Sequence, residues 1–280
     1  MNHRNKRTRP VRLSQKRLPS TSPNDPGQHL LIDRRIANEM VRLARLRPSD
    51  LVIDIGAGKG ALTLPLAQRA GQVWAVENDT TFAAILREKT EAFPHVRVIC
   101  KNILDCTLPK QPFCVVASIP YAITTPILDK MLHPHSNLKR AVLLIEWGAA
   151  KRFTAEPSNR PNILRWRFLY DIKMMRAVSR TCFAPPPKVE SAIIVIRPKP
   201  GRPRSPAISA RFEALVRYAL RAPDLAVSHA LKGIFTAAQQ KKLFRAAAID
   251  RDAPVGMLTD EQWAFVFMTM IQYVERWRWP

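Results

Sequence analysis

The sequence predicts an α/β protein, with a doubly wound parallel sheet over residues 27–200 and a small all-helical domain over residues 201–280. Short apolar strands alternate with helical segments over about 120 residues, which is the pattern of a parallel sheet with helices on both faces. A glycine-rich turn follows the first of these strands. The segment after the last strand, PKPGRPRSP, has four prolines and a glycine in nine residues, which is typical of a domain boundary.

The first predicted element is a helix that begins near Asp33, a candidate N-cap residue. Ile36, Met40, Leu43 and Leu46 follow at three- and four-residue steps, the spacing of one apolar face of a helix.

The remaining elements follow in chain order. The predicted strands are LVIDIG (51–56), QVWAVEND (72–79), VRVICKNIL (96–104), FCVVASI (113–119), RAVLLIEW (140–147) and SAIIVIRPK (191–199). The predicted helices between them are ALTLPLAQRAG (61–71), TTFAAILREKTEAF (80–93) and TTPILDKML (124–132). Thr80 or Thr81 is expected to cap the second of these helices. The helices expected after the boundary are FEALVRYAL (212–220), AQQKKLFRAAAI (238–249) and EQWAFVFMTMIQYVERW (261–277).

The charge of the chain is strongly positive and unevenly placed. Lys and Arg number 45 against 22 Asp and Glu, which gives a formal charge of +23. Residues 27–139 are the most balanced, with 14 basic against 10 acidic residues, whereas residues 140–200 have 12 against 4. Composition drift towards arginine explains part of the excess but not its placement. Because nucleic acid is the natural partner of such a surface, we expect a near-neutral cofactor domain bordered by phosphate-binding surfaces.

Residues 1–26 form a basic segment with seven Lys or Arg residues and one acid. We expect a disordered arm that contacts RNA, and an organellar address is the alternative. The segment lacks the apolar core of a secretory signal, and no run in the chain approaches the ~18 apolar residues that span a membrane. The four cysteines lack C-x-x-C spacing, so we expect no metal, no disulfide framework and a cytoplasmic protein. We also expect a monomer.

A glycine turn and an acid at the end of the next strand indicate a nucleoside-containing cofactor. Gly56 and Gly58 follow the first strand, where glycines let the backbone approach a ligand closely. Glu77 ends the second strand, where a carboxylate accepts hydrogen bonds from ribose hydroxyls. This pair of features does not choose between NAD and S-adenosylmethionine. Glycines that serve only a tight turn are the structural alternative.

The stretch FCVVASIPYAITTPIL (113–128) runs from a strand into Ser118, Ile119, Pro120 and Tyr121. In an open α/β sheet, ligands bind outside the carboxyl ends of the strands, so these residues are expected to share a crevice with Gly56, Glu77 and Asn102. Pro120 restricts the backbone on both sides of it. Tyr121 offers a flat face on which a nucleobase can stack. A tyrosine packed beside a proline turn is the alternative interpretation.

Five segments in the same order resemble motifs of the adenine-N6 rRNA methyltransferases over about 170 residues. They are GQHLLIDRR (27–35), IDIGAGKGALTLPLA (53–67), AVEND (75–79), SIPYAITTPIL (118–128) and FAPPPKVESAIIVI (183–196). EWGAAKRFT (146–154) and the wording ITTPIL resemble the Erm type, which methylates large-subunit rRNA. The small-subunit dimethyladenosine transferases are the close alternative. The resemblance implies the Rossmann-like fold of class I methyltransferases.

The resemblance also implies roles for individual residues. The residues expected to contact S-adenosylmethionine are His29, Leu31, Gly56, Gly58, Glu77, Asn102, Ile103 and Ser118. The residues expected to hold the target adenine are Ser118, Ile119, Pro120, Tyr121 and Phe183. Rotation of the adenine out of its stack would bring it into this site. The residues expected to bind rRNA phosphates are Arg140, Lys151, Arg152, Arg160, Arg165 and Arg167.

Three positions depart from the family pattern. Ser118 stands where Asn is usual, Asn102 where Asp is usual, and His29 where Asn is common. Each replacement keeps hydrogen-bonding capacity, so we expect activity. The expected function is N6-methylation of an adenine in large-subunit rRNA, with resistance to macrolide, lincosamide and streptogramin B antibiotics. The alternatives are the small-subunit enzyme, a non-catalytic RNA-binding factor and a nicotinamide-dependent oxidoreductase.

Overall fold

The computed structural model describes residues 28–280 of the chain. The basic arm expected over residues 1–26 lies outside this range. The strands of the described part are β1 (Leu30–Leu31), β2 (Leu51–Ile55), β3 (Gln72–Glu77), β4 (Val96–Cys100), β5 (Phe113–Ser118), β6 (Leu138–Glu146), β7 (Tyr170–Val178), β8 (Phe183–Ala184) and β9 (Ser191–Pro198). The helices are α1 (Arg34–Ala44), α2 (Thr63–Ala67), α3 (Thr80–Lys89), α4 (Thr124–Met131), α5 (Trp147–Thr154), α6 (Pro161–Leu169), α7 (Pro206–Ala219), α8 (Val227–Ala230), α9 (Ala237–Ala246) and α10 (Asp260–Tyr273).

Seven strands form one sheet in the order β4-β3-β2-β5-β6-β9-β7. The strands β4, β3, β2, β5 and β6 are parallel, whereas β9 is antiparallel to both β6 and β7. A separate two-stranded sheet joins β1 to β8 in antiparallel register. The doubly wound sheet expected from the alternation of strands and helices is therefore confirmed, and the strand order changes direction at β2 and β5.

The central strand β2 is buried along its whole length because helices cover both faces of the sheet. Its side chains alternate between two cores, with Ile53 facing one and Val52 the other. The core on the side of Val52 packs α1 and α2 against the sheet. At the start of α1, Asp33 accepts hydrogen bonds from two backbone amides, as expected for its N-cap.

After β9 the elements of the described chain are helical, and they share a core with the sheet domain. The ring of Phe168 in α6 stacks on Phe212 of α7 at a centroid distance of 4.3 Å. Phe267 of α10 meets both rings edge-on. Such aromatic contacts fix the position of the helical part relative to the sheet.

The secondary structure differs from the sequence prediction in several details, and α5 and α6 are among the elements that were not predicted. The strand β7 was not predicted, because its exposed edge carries charged residues such as Lys173 and Arg176 in place of a regular apolar alternation. The helix α2 is shorter than the predicted 61–71 segment. Asp79, rather than Thr80 or Thr81, caps α3, since its carboxylate accepts from the amides of Thr81 and Phe82. Among the described residues, no helix is both long and apolar enough to cross a membrane.

Candidate active site

A cavity of about 390 Å³ opens at the carboxyl ends of the parallel strands. This volume lies within the range of pockets that bind small molecules and cofactors. Its lining comprises Gln28, His29, Leu30, Ile55, Gly56, Val76, Glu77, Asn78, Phe82, Lys101, Asn102, Ile103, Ser118, Ile119, Pro120, Tyr121, Ala122, Ile123 and Phe183. All but two of the residues expected to form the site therefore line one cavity; Leu31 and Gly58 do not.

The glycine turn brings the backbone of β2 against the loop that follows β5. Gly56 has a φ of +70°, which a residue with a side chain rarely adopts. A Cβ at this position would lie 3.4 Å from the carbonyl oxygen of Ser118 and 3.5 Å from Cδ of Pro120. The wall of the cavity at this point is therefore bare backbone, which allows a ligand to approach closely.

Glu77 is held rigidly at the end of β3. One oxygen of its carboxylate accepts a hydrogen bond from the amide of Gly58 at 2.7 Å, and the other accepts from the amide of Asp79 at 2.8 Å. Each carboxylate oxygen has a second acceptor site, so Glu77 can also accept from two hydroxyl groups in the cavity. Gly58 contributes to the site through this contact rather than by lining the cavity.

A buried acid in β2, which was not among the expected site residues, precedes the cavity-lining residues Ile55 and Gly56. Asp54 is 1% exposed, and one of its oxygens accepts a hydrogen bond from the hydroxyl of Thr63 at 2.7 Å. Its other oxygen has no hydrogen-bond partner in the described residues. Burial raises the pKa of Asp54 to about 7 against the opposing hydrogen bond from Thr63, and the charge of Glu77 adds to the rise. The sequence signal that could have identified Asp54 is an acidic residue in the middle of the otherwise apolar strand LVIDIG.

Asn102 starts a single 3-10 turn, Ile103–Asp105, after β4. Its side-chain oxygen accepts a hydrogen bond from the amide of Leu104 at 2.9 Å, so this oxygen is partly committed to the turn. Ile103 and Val76 provide apolar walls for the same part of the cavity. This combination of flat apolar walls and one polar group suits a heterocyclic base.

The loop after β5 presents two polar groups that have no hydrogen-bond partner among the residues that the structure describes. Ile119 is itself buried, and its amide donates to the carbonyl of Leu144 at 3.0 Å. The carbonyl of Pro120 accepts from the amide of Ile123 and the hydroxyl of Thr124. Within residues 28–280, no hydrogen bond reaches the carbonyl of Ile119 or the hydroxyl of Ser118. These two groups remain available to a ligand.

Tyr121 is half-buried and lines the cavity. Its hydroxyl forms a 2.6 Å hydrogen bond with the hydroxyl of Ser191 at the start of β9. Burial raises the pKa of Tyr121, while the hydrogen bond with Ser191 acts against the rise. The ring of His29 lies 6.2 Å from the tyrosine ring, and Nδ1 of His29 is 2.8 Å from the carbonyl oxygen of Pro185. Because a carbonyl can only accept, this ring nitrogen is the donor.

Leu31 does not line the cavity, whereas the neighbouring residue of β1 does. Leu31 is 6% exposed and belongs to the core formed with α1 and α2, whereas Leu30 lines the cavity. Successive side chains of a strand point to opposite sides, so only one of the two can reach the ligand. Phe183, which pairs with Leu31 across the small sheet, is 2% exposed and forms part of the cavity wall.

Two of the arginines expected to bind phosphate serve the fold. Arg167 is buried and its Nε donates to Asp260 at 2.7 Å. Arg165 forms ion pairs with Asp129 and Glu213. Lys151, Arg152 and Arg160 are exposed, as phosphate-binding residues must be. Within residues 28–280, no group of three or more His, Cys, Asp or Glu residues could hold a metal ion.

The sheet order, the glycine turn and the acid at the end of the second large strand together define a Rossmann-like fold with a site for a nucleoside-containing cofactor. Comparison with known proteins specifies the class further. Residues 22–272 match the model of the family described as ribosomal RNA adenine dimethylase. The chain therefore belongs to the ribosomal RNA adenine dimethylase family, and it is an rRNA adenine N6-methyltransferase.

Three relatives represent the similarity. An rRNA adenine N-6-methyltransferase of Bacillus licheniformis is 44% identical over 260 residues, which cover 92% of this chain and 91% of that protein. The crystal structure of the 23S rRNA methyltransferase ErmE superposes with a TM-score of 0.78 at 28% identity, covering 87% of this chain and 100% of that one. A ribosomal RNA small subunit methyltransferase A of Thermotoga maritima is 36% identical over 179 residues, 62% of this chain and 63% of that protein.

Proposed function

We propose that this protein uses S-adenosylmethionine to methylate N6 of an adenine in large-subunit rRNA. One observation carries the proposal: the glycine turn with Glu77 and the Ser118–Tyr121 loop line the same cavity and touch each other at Gly56. The part of the cavity formed by the glycine turn and Glu77, here called the cofactor half, thus meets the part formed by the Ser118–Tyr121 loop, here called the base half. The family assignment argues against the nicotinamide-dependent oxidoreductase and the non-catalytic RNA-binding factor.

The cofactor half fits S-adenosylmethionine in its donor and acceptor groups. Glu77 has two free acceptor positions for the ribose hydroxyls. Val76 and Ile103 would enclose the adenine of the cofactor, with Asn102 at its edge, and the bare backbone at Gly56 would lie under the methionine part. His29 would approach from the opposite wall. The cofactor, when bound, supplies a methyl group that its sulfonium already activates.

The base half would hold the target adenine by its amino group and its ring. The free hydroxyl of Ser118 and the free carbonyl of Ile119 would accept the two N6 hydrogens and so orient the nitrogen towards the cofactor half. The carbonyl of Pro120 is already committed to the loop, which makes Ile119 the better acceptor. Tyr121 would stack on the ring, and Phe183 would close the wall beside it. Positioning of this kind accounts for most of the catalysis expected here.

The surface charge supports RNA as the partner. Lys151, Arg152 and Arg160 are exposed, and we propose that they neutralise phosphates around the target. We propose further that the helical region over 201–280 forms an RNA-binding domain of its own. Recognition would involve an unpaired adenine, because single-stranded loops and bulges expose the base. We propose that the protein acts as a cytoplasmic monomer.

Similarity to ErmE supports the large subunit as the source of the target, and methylation there would protect the ribosome from macrolide, lincosamide and streptogramin B antibiotics. The 23S rRNA methyltransferase ErmE superposes on 87% of the chain at 28% identity. The similarity to the small-subunit enzyme makes small-subunit rRNA the second candidate.

One assay separates the candidates. Purified protein is incubated with labelled S-adenosylmethionine and, separately, with protein-free large-subunit or small-subunit rRNA. Label recovered as N6-methyladenine in the large-subunit RNA supports the proposal. Label in the small-subunit RNA alone transfers the protein to the second candidate, and label in neither contradicts methyl transfer to these RNAs.

A further inference from the structure

We propose that Ser191 is a positioning residue that holds the ring of Tyr121 at the angle needed to stack on the target adenine. This inference rests on the proposed function, because it assigns a task to a residue that does not line the cavity. Ser191 is separated from Tyr121 by 70 positions in the chain. It is the serine that closes the motif FAPPPKVES. The proposed mechanism gives this serine no role.

The position of Ser191 is fixed by three strands. It is the first residue of β9, where it pairs with Glu146 of β6 on one side and with Val178 of β7 on the other. It is 0% exposed. Its hydroxyl therefore has little freedom to move, and the 2.6 Å hydrogen bond transmits this rigidity to the phenol of Tyr121.

The backbone around Tyr121 is less firmly held than the strand that carries Ser191. Tyr121 begins a 3-10 turn of three residues, and Pro120 at the cap of this turn provides no side-chain hydrogen bond. The nearest aromatic neighbour, His29, lies 6.2 Å away in a tilted arrangement. The bond to Ser191 is the only hydrogen bond of the tyrosine side chain within the described residues. Without it, the ring can rotate about its side-chain torsions.

A second role for Ser191 has to be distinguished from this one: a small residue that merely fills the core. Packing alone predicts that a change at Ser191 lowers stability whatever stands at position 121. Positioning predicts instead that Ser191 matters to the reaction only while Tyr121 keeps its hydroxyl. The two hydroxyls also satisfy each other, so removal of Tyr121's hydroxyl leaves that of Ser191 buried without a partner.

The test is a double-mutant cycle on the full chain with Ser191→Ala, Tyr121→Phe and the double variant. We expect Ser191→Ala to lower kcat about 5-fold, the factor of one neutral hydrogen bond. The KM for rRNA and the Kd for S-adenosylmethionine should stay unchanged. Tyr121→Phe should show the same loss, and the double variant no further loss. Independent, multiplying losses in the double variant, or wild-type kcat in Ser191→Ala, would overturn the proposal.

Stability provides the second measurement and the control. Tyr121→Phe should lower the melting temperature more than Ser191→Ala does, and the double variant should recover part of that loss. Ser209→Ala is the matched control, since Ser209 is a buried serine of α7 without a hydrogen-bond partner in the described chain. It should leave kcat unchanged. If the wild type transfers no methyl group, the proposed function fails. The hydrogen bond between Ser191 and Tyr121 is then tested by stability alone: if the drop in melting temperature of the double variant equals the sum of the two single drops, the two side chains are not coupled.

Discussion

Gly56 lies against the carbonyl oxygen of Ser118, so closely that a Cβ on Gly56 would be 3.4 Å from that oxygen. Both residues line the cavity, and the proposed function assigns Gly56 to its cofactor half and Ser118 to its base half. Because only about the space of one methyl group separates the two segments, we expect a displacement of one to move the other. If the proposed function holds, packing between the neighbouring strands β2 and β5 would set the distance between the methyl donor and the target adenine.

Substitution of Gly56 by alanine should weaken cofactor binding and methyl transfer together. The new Cβ would fill the space beside Ser118 and Pro120 at van der Waals distance, and the φ of +70° would be strained as well. We expect at least about a 10-fold loss in kcat/KM, because small misplacements of reacting groups are costly. Gly201→Ala is the matched control, since Gly201 has a φ of +71° but nothing within 4 Å of its Cβ position. If both variants lose affinity for S-adenosylmethionine equally in calorimetry, strain alone explains the effect.

Tyr121→Ala should lower the rate of methyl transfer by at least about 10-fold. Stacking of a base on an aromatic ring contributes about 1–3 kcal/mol, and alanine removes the ring entirely. The loss should exceed that of Tyr121→Phe, which keeps the ring. Single-turnover assays with saturating rRNA provide the measurement, and turnover like that of the wild type would show that the base is not held by Tyr121.

Asn102→Asp should tighten the binding of S-adenosylmethionine. The side-chain oxygen of Asn102 already accepts from the amide of Leu104, and aspartate offers a second acceptor oxygen for the amino group of the cofactor's adenine. A charged acceptor strengthens such a bond, so Kd should fall by about 5-fold. Asn78→Asp is the control, because it adds the same negative charge to the cavity lining at a residue that does not start the Ile103–Asp105 turn. An equal gain in Asn78→Asp would mean that general attraction of the cationic cofactor is responsible.

The sequence was sufficient for the fold class and for about half of the residues that line the cavity, because parallel strands place their carboxyl ends at one edge. Gly56, Glu77, Asn102 and Ser118 each end or follow a strand, and the structure brings all four together. Residues at the carboxyl ends of parallel strands lie at the same edge of the sheet in nearly any strand order, so the order need not be known to predict them. In a two-residue strand such as β1, a shift of one residue decides which side chain faces the cavity, and the sequence does not show this shift. We therefore selected Leu31, whereas Leu30 lines the cavity.

Contacts between distant segments could not be predicted from one sequence. The ion pair of Arg167 with Asp260 joins residues 93 positions apart, and an arginine in a basic segment looks the same whether it is paired or exposed. The bond between Tyr121 and Ser191 is hidden for the same reason. Sequence patterns report periodicity and local chemistry, whereas these contacts depend on how α6 packs on α10 and how β9 inserts between β6 and β7.

Arg167→Ala and Lys151→Ala should separate folding from RNA binding. Removal of Arg167 leaves the half-buried Asp260 without its partner, and because loss of one member of a fully buried ion pair costs about 3–5 kcal/mol, we expect a loss of stability of up to that size. Urea unfolding should show this loss. Lys151 is exposed, so its removal should leave stability unchanged but reduce the salt dependence of rRNA binding by about one phosphate contact. An unchanged salt slope in Lys151→Ala would remove this residue from the proposed RNA surface.

Asp54→Asn should change how stability depends on pH. Burial raises the pKa of Asp54 to about 7 from 3.8 in the unfolded chain, so the folded protein keeps a proton that the unfolded chain has already lost. Between these two values the wild type therefore loses stability as pH rises, by up to about 1.4 kcal/mol per pH unit. Asparagine does not titrate and removes this loss. The melting temperature of Asp54→Asn relative to the wild type should rise from pH 4 to pH 7 and stay level above it.

Asp50→Asn is the control for this pH dependence, because Asp50 precedes the same strand and shifts in the opposite direction. Burial alone would raise the pKa of Asp50, but hydrogen bonds from Lys139 and from the amide of Arg47 outweigh it and lower the pKa. The contribution of Asp50 to stability is therefore present above pH 3.8 and lost as the pH falls through its folded pKa. Relative to the wild type, Asp50→Asn should be least stable at neutral pH. Parallel pH profiles for the two variants would show that Asp54 is ionised in the folded protein and that its proton does not control stability.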